Sequence, residues 1–292
     1  MKILERIQMI MVWNWKSIRK RIGCLGLMLL SICMLTACED KMTPHKLMES
    51  MSKNMADITS FANKVKLDIE LEDVLYTTAV SMDISLESTS DPKAGHALGK
   101  AHVKMRGAEL DSVLEVYQVV EGGRRATYSS LDGVWTKEVS EHTKGSVITI
   151  DNSLFSQMSD SVDDFQIAEG MVDVNGQECY QMYGEVTGEN LKGLLGGQML
   201  NAYGLVKLPD EDAVSELVIP ITFNIYKEKM LPARIVVDMS EAMNGLYDKF
   251  DKTTNVNSYN IKLDFDNYGA VEEIKVPEEI KALVMGNTNQ GQ

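Results

Sequence analysis

The sequence predicts an α+β protein in which one amphipathic helix precedes a large curved antiparallel sheet, with further helical stretches interrupting the strands. Three observations carry that prediction. Apolar and polar residues alternate strictly, as in Val65, Leu67, Ile69 and Leu71 against Lys66, Asp68 and Glu70, which is the period of a strand with one buried face and one wet face. Successive runs are joined by dipeptides such as Asp132-Gly133 and Asn175-Gly176, the chemistry of tight hairpins. Ahead of the first run, Leu47, Met51, Met55 and Ile58 recur instead at helical spacing.

Taken in order, Thr43-Pro44 reads as an N-cap followed by proline at the first helical position. The stripe that follows, extended by Phe61 and Ala62, predicts a helix over 44–63. Alternation then predicts strands over 64–72, 80–87, 100–106, 112–120, 124–130 and 134–139. Strands at 162–169 and 170–174 lead through Asn175-Gly176 into another at 177–186. A short helix is expected over 152–159, and a greasier one over 189–203 with Leu191, Leu194, Leu195, Met199, Leu200 and Tyr203 on its apolar face. Gly193, Gly196 and Gly197 weaken that second helix, each by about 1 kcal/mol relative to alanine. It is either a mobile cover or a core helix with glycines at a close contact. Strands at 215–226 and 230–239 flank the polar turn Lys227-Glu228-Lys229. A helix over 241–251, a strand over 255–266, an extended finish over 271–277 and a capped turn over 278–284 complete the order. The pattern admits one continuous sheet of about ten strands or two similar halves. The absence of a linker-like shift favours one sheet.

The N-terminal segment has a different logic. Lys16, Arg19, Lys20 and Arg21 precede an apolar run over 22–34 that ends in Leu35-Thr36-Ala37-Cys38. Basic stretch, apolar core and small-residue exit are the parts of a secretion signal. Its ending resembles the lipobox of bacterial lipoproteins. The resemblance implies that Cys38 takes a diacylglyceryl group, that cleavage precedes it, and that the chain stays anchored by lipid. An uncleaved membrane span is the alternative, but the apolar run is shorter than the ~20 residues that cross a hydrocarbon core. The expected organisation is therefore a signal over 1–37, a lipidated tether over 38–43, one domain over 44–285 and a disordered tail over 286–292.

Without residues 1–37 the chain holds 23 basic and 42 acidic residues, a net charge of −19. Such a surface repels nucleic acid phosphates, which excludes nucleic acid as a partner by charge. Cys24 and Cys33 leave with the signal and Cys38 is lipidated, so Cys179 is left with no disulfide partner. An exported chain of this kind relies on its core. Cys179, in the alternating run Glu178 to Tyr183, is expected to be a small buried side chain.

No catalytic or cofactor pattern stands out. The sequence has no Gly-x-Ser-x-Gly elbow, phosphate-cradling loop or His-Glu-x-x-His. His45, His96, His102 and His142 lack zinc-like companions. The run from Asp264 to Lys275 fails as a calcium loop, with Tyr268 fifth and Lys275 where a bidentate glutamate is required. Asp160, Asp163 and Asp164 read as a solvated loop. The expectation is a non-enzymatic protein without cofactor or metal.

The whole resembles the LolA/LppX-like lipoprotein domains. The likeness rests on Asp132-Gly133-Val134-Trp135-Thr136-Lys137, on the run Phe223 to Met239 with its lysine turn and Leu231-Pro232, and on the ending Ile274-Lys275-Val276-Pro277-Glu278-Glu279. It implies a half-barrel sheet with helices on its concave side, enclosing an apolar cavity that takes a lipid or other apolar ligand. The 19 methionines suit an adaptable lining. Candidate lining residues are Leu191, Leu194, Leu195 and Met199 from the helical cover, with Val65, Leu67, Ile69, Met82 and Ile84 from the sheet. The expected setting is the extracytoplasmic face of a cell membrane, held through lipidated Cys38, with the protein partner left unspecified. The competing reading is a surface scaffold with a fully packed interior.

Overall fold

Twelve strands form one antiparallel sheet in a computed structural model of the chain. The structure describes residues 42–140, 162, 164–195, 215–250 and 253–288. The side chains at 192–195, 250 and 285–288 are not among those described. The signal, Cys38, the helix expected over 152–159, and Met199 lie outside the described residues.

The helix α1 (Pro44–Ala56) leads into a meander of β1 (Ser60–Glu72), β2 (Thr77–Ser90), β3 (Lys93–Met105), β4 (Ala108–Glu121), β5 (Arg124–Leu131) and β6 (Val134–Ser140). After it come β7 (Gln166–Ile167), β8 (Val172–Val174), β9 (Gln177–Thr187), α2 (Gly188–Leu195), β10 (Val218–Tyr226) and β11 (Pro232–Asp238). The chain closes with α3 (Ser240–Phe250), β12 (Asn255–Asp266) and α4 (Glu278–Thr288). The strand order is β6-β5-β4-β3-β2-β1-β12-β11-β10-β9-β7, with β8 also paired to β9. This is the α+β fold expected, as one continuous open curved sheet of half-barrel type and not two similar halves.

Two of the hairpins have a local cause in a left-handed dipeptide. Asp132 and Gly133 both take positive φ, 50° and 84°, and so do Asn175 and Gly176, 56° and 76°. That left-handed pair matches the twist of the flanking strands. The Asp173 carboxylate also accepts the Gly176 N–H at 3.1 Å.

Three expectations are corrected. The first helix ends at Ala56, and Phe61, Ala62 and Asn63 belong to β1, because both flanks of that strand are paired: Ala62 lies opposite Glu87 on β2 and Asp266 on β12. The strand expected over 162–169 shrinks to Gln166–Ile167. Phe165 turns its ring onto Gly184, where an added Cβ would lie only 2.6 Å from the ring, and packs 6.2 Å from Phe223. The capped turn expected over 278–284 is the 11-residue helix α4, which runs past the start of the expected tail at 286.

Strand parity divides the sheet into two chemically distinct faces. On one, cross-strand register sets Val65 beside Ile84 and Leu263, and Leu67 beside Met82 and Ile261. On the other lie Lys66, Asp83, Lys262 and Asp264. The stripe Leu47, Met48, Met51 and Met55 of α1 is fully buried, worth about 1.5–3 kcal/mol for each side chain. A stripe of that chemistry fits the apolar, inner face. The Asn54 side chain fixes the end of α1 by donating to the Lys229 carbonyl at 2.8 Å. On the opposite, outer face, α4 seats Ile280 and Val284 on Ala126 and Tyr128, with Tyr117, Val119 and Trp135 around them.

Candidate functional site

The inner face is built by alternation alone. Val65, Leu67 and Ile69 from β1 are 3%, 4% and 3% exposed, and Met82 and Ile84 from β2 are 6% and 2%. Register places Val65 against Ile84, Leu67 against Met82, and Ile69 against Val80. The five sheet residues therefore form one patch. It continues through Tyr259, Ile261, Leu263 and Phe265 of β12 and Ile235 and Val237 of β11, all buried. Across β10, β11, β12, β1 and β2 the inner positions carry no charged side chain.

Gly99 lets β3 approach this wall closely. A Cβ there would lie 2.7 Å from Ile84 Cγ1 and 3.0 Å from the Asp83 carbonyl oxygen. The expected cover is placed differently from the sheet patch. Leu191 is buried, 2% exposed, on α2, which packs at β9. That strand is four positions from β1 in the sheet order, about 19 Å at the usual strand spacing. Leu194 and Leu195 belong to α2, with side chains not among those described, and Met199 lies beyond the described residues.

Polar side chains also fall on the inner face, Ser88, Asn63 and Tyr259 among them; of the described residues, the last two carry an unpartnered buried atom. Asn63 sits between Leu86 and Phe265, and Tyr259 lies beside Ile69. They are 2% and 1% exposed, and neither Asn63 Oδ1 nor the Tyr259 hydroxyl has a hydrogen-bond partner. An unsatisfied buried polar atom costs about 1–3 kcal/mol, so each group demands a partner or is a standing loss. Burial drives the Tyr259 phenol well above the ordinary tyrosine range, so it is a neutral hydroxyl at any physiological pH. Sequence reasoning put Asn63 at the end of a helix and Tyr259 on the strand over 255–266. The available signal was parity, since Asn63 is in phase with Val65, Leu67 and Ile69.

The outer face offers clefts of another kind. One of about 610 Å³ is lined by Lys66, Asp68, Asp83, Lys100, His102 and Asp111. In it Lys66 lies 3.4 Å from Asp83, and a ring nitrogen of His102 lies 2.7 Å from an Asp111 carboxylate oxygen. Exposed pairs of this kind are worth about 0–1 kcal/mol. Further along, the carboxylate of Asp264 meets Arg234 and, at 3.0 Å, Lys262. Among the described residues no cluster of His, Cys, Asp or Glu could hold a metal ion. Cys179 is fully buried, and burial pushes its thiol up to about 11, which removes it as a nucleophile. Among the described residues no helix is long and apolar enough to cross a membrane.

An open curved antiparallel sheet with one apolar, uncharged inner wall and one charged outer face defines a half-barrel α+β protein. The chain belongs to a family of unknown function, DUF6612, whose profile matches residues 43–283. No curated protein matches it in sequence. Among solved structures it is similar to LprF from Mycobacterium bovis, at 15% identity and a TM-score of 0.46, over 80% of this chain and 96% of that one. It is also similar to a DUF1329 family protein from Desulfovibrio piger ATCC 29098, at 11% identity and a TM-score of 0.23, over 79% of this chain and 93% of that one. A third similarity is to a beta-barrel-like protein of the DUF1849 domain from Brucella abortus, at 6% identity and a TM-score of 0.26, over 72% of this chain and 97% of that one.

Proposed function

We propose that this is a non-enzymatic, lipid-anchored lipoprotein of the extracytoplasmic membrane face, which binds a lipid or other apolar ligand against the inner face of its sheet. The anchor reading rests on the signal and on Leu35-Thr36-Ala37-Cys38. The observation that supports ligand binding is the uncharged apolar wall across five adjoining strands. Its length exceeds that of the described helices. The 13 residues of β1 extend about 43 Å, whereas the 13 residues of α1 span about 20 Å. Two acyl chains or more on Cys38 hold a protein stably at a membrane, at about 0.8 kcal/mol per buried methylene.

The test uses the Cys38→Ser chain, exported and purified without detergent. Wild type is expected in the membrane fraction and Cys38→Ser in the soluble one. Native mass spectrometry of the soluble form is expected to show an extra mass that organic solvent releases as lipid. A clean protein mass that added lipids do not change would overturn the ligand reading and leave a packed surface scaffold.

A further inference from the structure

We propose that the end of the sheet where β1 turns into β2 is a membrane contact, at which Val74 and Leu75 enter a phospholipid bilayer and the hollow beside them takes a lipid phosphate. The inference rests on the membrane setting proposed above and adds a second attachment to it. Val74 and Leu75 are 77% and 85% exposed, the two highest values among the large apolar side chains described. Their loop, 73–76, is closed by the Asp73 N–H donating to the Tyr76 carbonyl at 2.9 Å. The turn from β3 to β4 lies beside it, because Thr78 pairs with Met105. Arg106 of that turn bridges the two tips. Its guanidinium stands 4.3 Å over the Tyr76 ring and donates to the Tyr76 hydroxyl at 3.1 Å.

The chemistry of these tips names the partner. A hollow of about 660 Å³ between them is lined by Leu75, Tyr76, Thr77, Lys104, Arg106 and Gly107. Its charged side chains, Lys104 and Arg106, are both basic, on a chain that carries −19 without residues 1–37. Lys104 also meets Glu109 at 3.1 Å, and Asp73 acts on Arg106 through space, but neither acid lines the hollow. An exposed pair of that kind contributes little and yields to a phosphate. Apolar tips, a tyrosine and basic side chains together are the parts of an interfacial anchor. The inner face runs out to the same end. Buried Val80 lies beside Val103 and Val103 beside Leu110, while Leu110 and Met105 are 56% and 48% exposed. Anchorage through Cys38 leaves six residues, 38–43, before α1, at most about 20 Å of extended chain. The domain is thereby held where even a weak contact is populated.

The test supplies the anchor chemically, so its result is independent of lipidation in cells. Pro44–Gln292 is one compact unit and Cys179 is fully buried, so the chain from Cys38 onward is coupled through the Cys38 thiol to a maleimide lipid. The vesicles are phosphatidylcholine and phosphatidylglycerol, with or without brominated acyl chains. Leu75→Trp with Trp135→Phe places a single tryptophan at the tip. Leu283→Trp in the same background, at a side chain 54% exposed on α4, is the control. Leu75→Trp is expected to shift its emission to the blue on coupling and to lose most of it to the brominated chains, and Leu283→Trp to do neither. Adding Lys104→Gln or Arg106→Gln is expected to lower the ratio of inserted to free tips about fivefold, the usual worth of one basic side chain near an anionic surface. Quenching of Leu75→Trp no stronger than that of Leu283→Trp would overturn the contact, and leave the anchor reading to the fractionation of Cys38→Ser. Strong quenching that both basic variants leave unchanged would overturn the phosphate site.

Discussion

Replacing Gly99 by alanine tests how closely β2 and β3 approach at the edge of the apolar wall. The new methyl would lie 2.7 Å from Ile84 Cγ1, 3.0 Å from the Asp83 carbonyl oxygen and 3.1 Å from Ile84 Cα. Two of those atoms are backbone, and Ile84 is only 2% exposed, so its side chain has nowhere open to swing. Overpacking of this kind costs about 1–3 kcal/mol. Reduced freedom of the unfolded chain returns about 0.4–1 kcal/mol of that. The net loss of about 1–2 kcal/mol lowers the thermal midpoint by about 2–8 °C in a domain of this size. A urea titration is expected to show a lower midpoint at unchanged slope. Ile84→Ala removes the closest atom, so the double variant is less destabilised than the sum of the singles, by about 1 kcal/mol. A Gly99→Ala protein that melts at or above wild type, or strict additivity with Ile84→Ala, refutes the packing described for this wall.

Two further outcomes are expected. An unfolded cysteine ionises near pH ~8.5, whereas buried Cys179 holds its proton up to about 11. Its contribution to stability is therefore whole below about pH 8.5 and is lost as pH rises through about 11, so Cys179→Ala flattens that part of the alkaline fall in urea midpoint. On the outer face, Ile280→Asp releases α4 from Ala126 and Tyr128; with the other tryptophans, Trp13 and Trp15, replaced by Phe, a red shift in the emission of Trp135 reports it, and an unchanged spectrum counts against that contact.

What was legible in the sequence follows from how locally each element is determined. The last strand was read with its true ends, 255–266, because Tyr259, Ile261, Leu263 and Phe265 alternate without interruption. The end of α1 was misplaced because Phe61 and Ala62 satisfy a helical stripe and a strand equally well. Pairing with Glu87 and Asp266 settles the matter, and those partners are remote in sequence. The strand at 162–169 failed for a similar reason, since only tertiary packing tells Phe165 to leave the ladder and cover Gly184. That Val65, Leu67, Ile69, Met82 and Ile84 share one face was legible because parity is a local property. The unpartnered state of Asn63 and Tyr259 was not, because it depends on what faces them across the interior.

The pairing of β1 with β12 governs when this protein can fold. The first strand and the last are hydrogen-bonded neighbours in the middle of the sheet, Leu67 against Ile261. Joining them closes a loop that spans most of the polypeptide, the kind of distant contact that slows folding. A chain emerging N-terminus first, from the ribosome or from the translocation pore that the proposed export implies, can form the meander from β1 to β6 early. It lacks the other half of its centre until residues near Asp266 have passed through. In the export proposed above, topology delays completion of the fold until translocation is nearly finished.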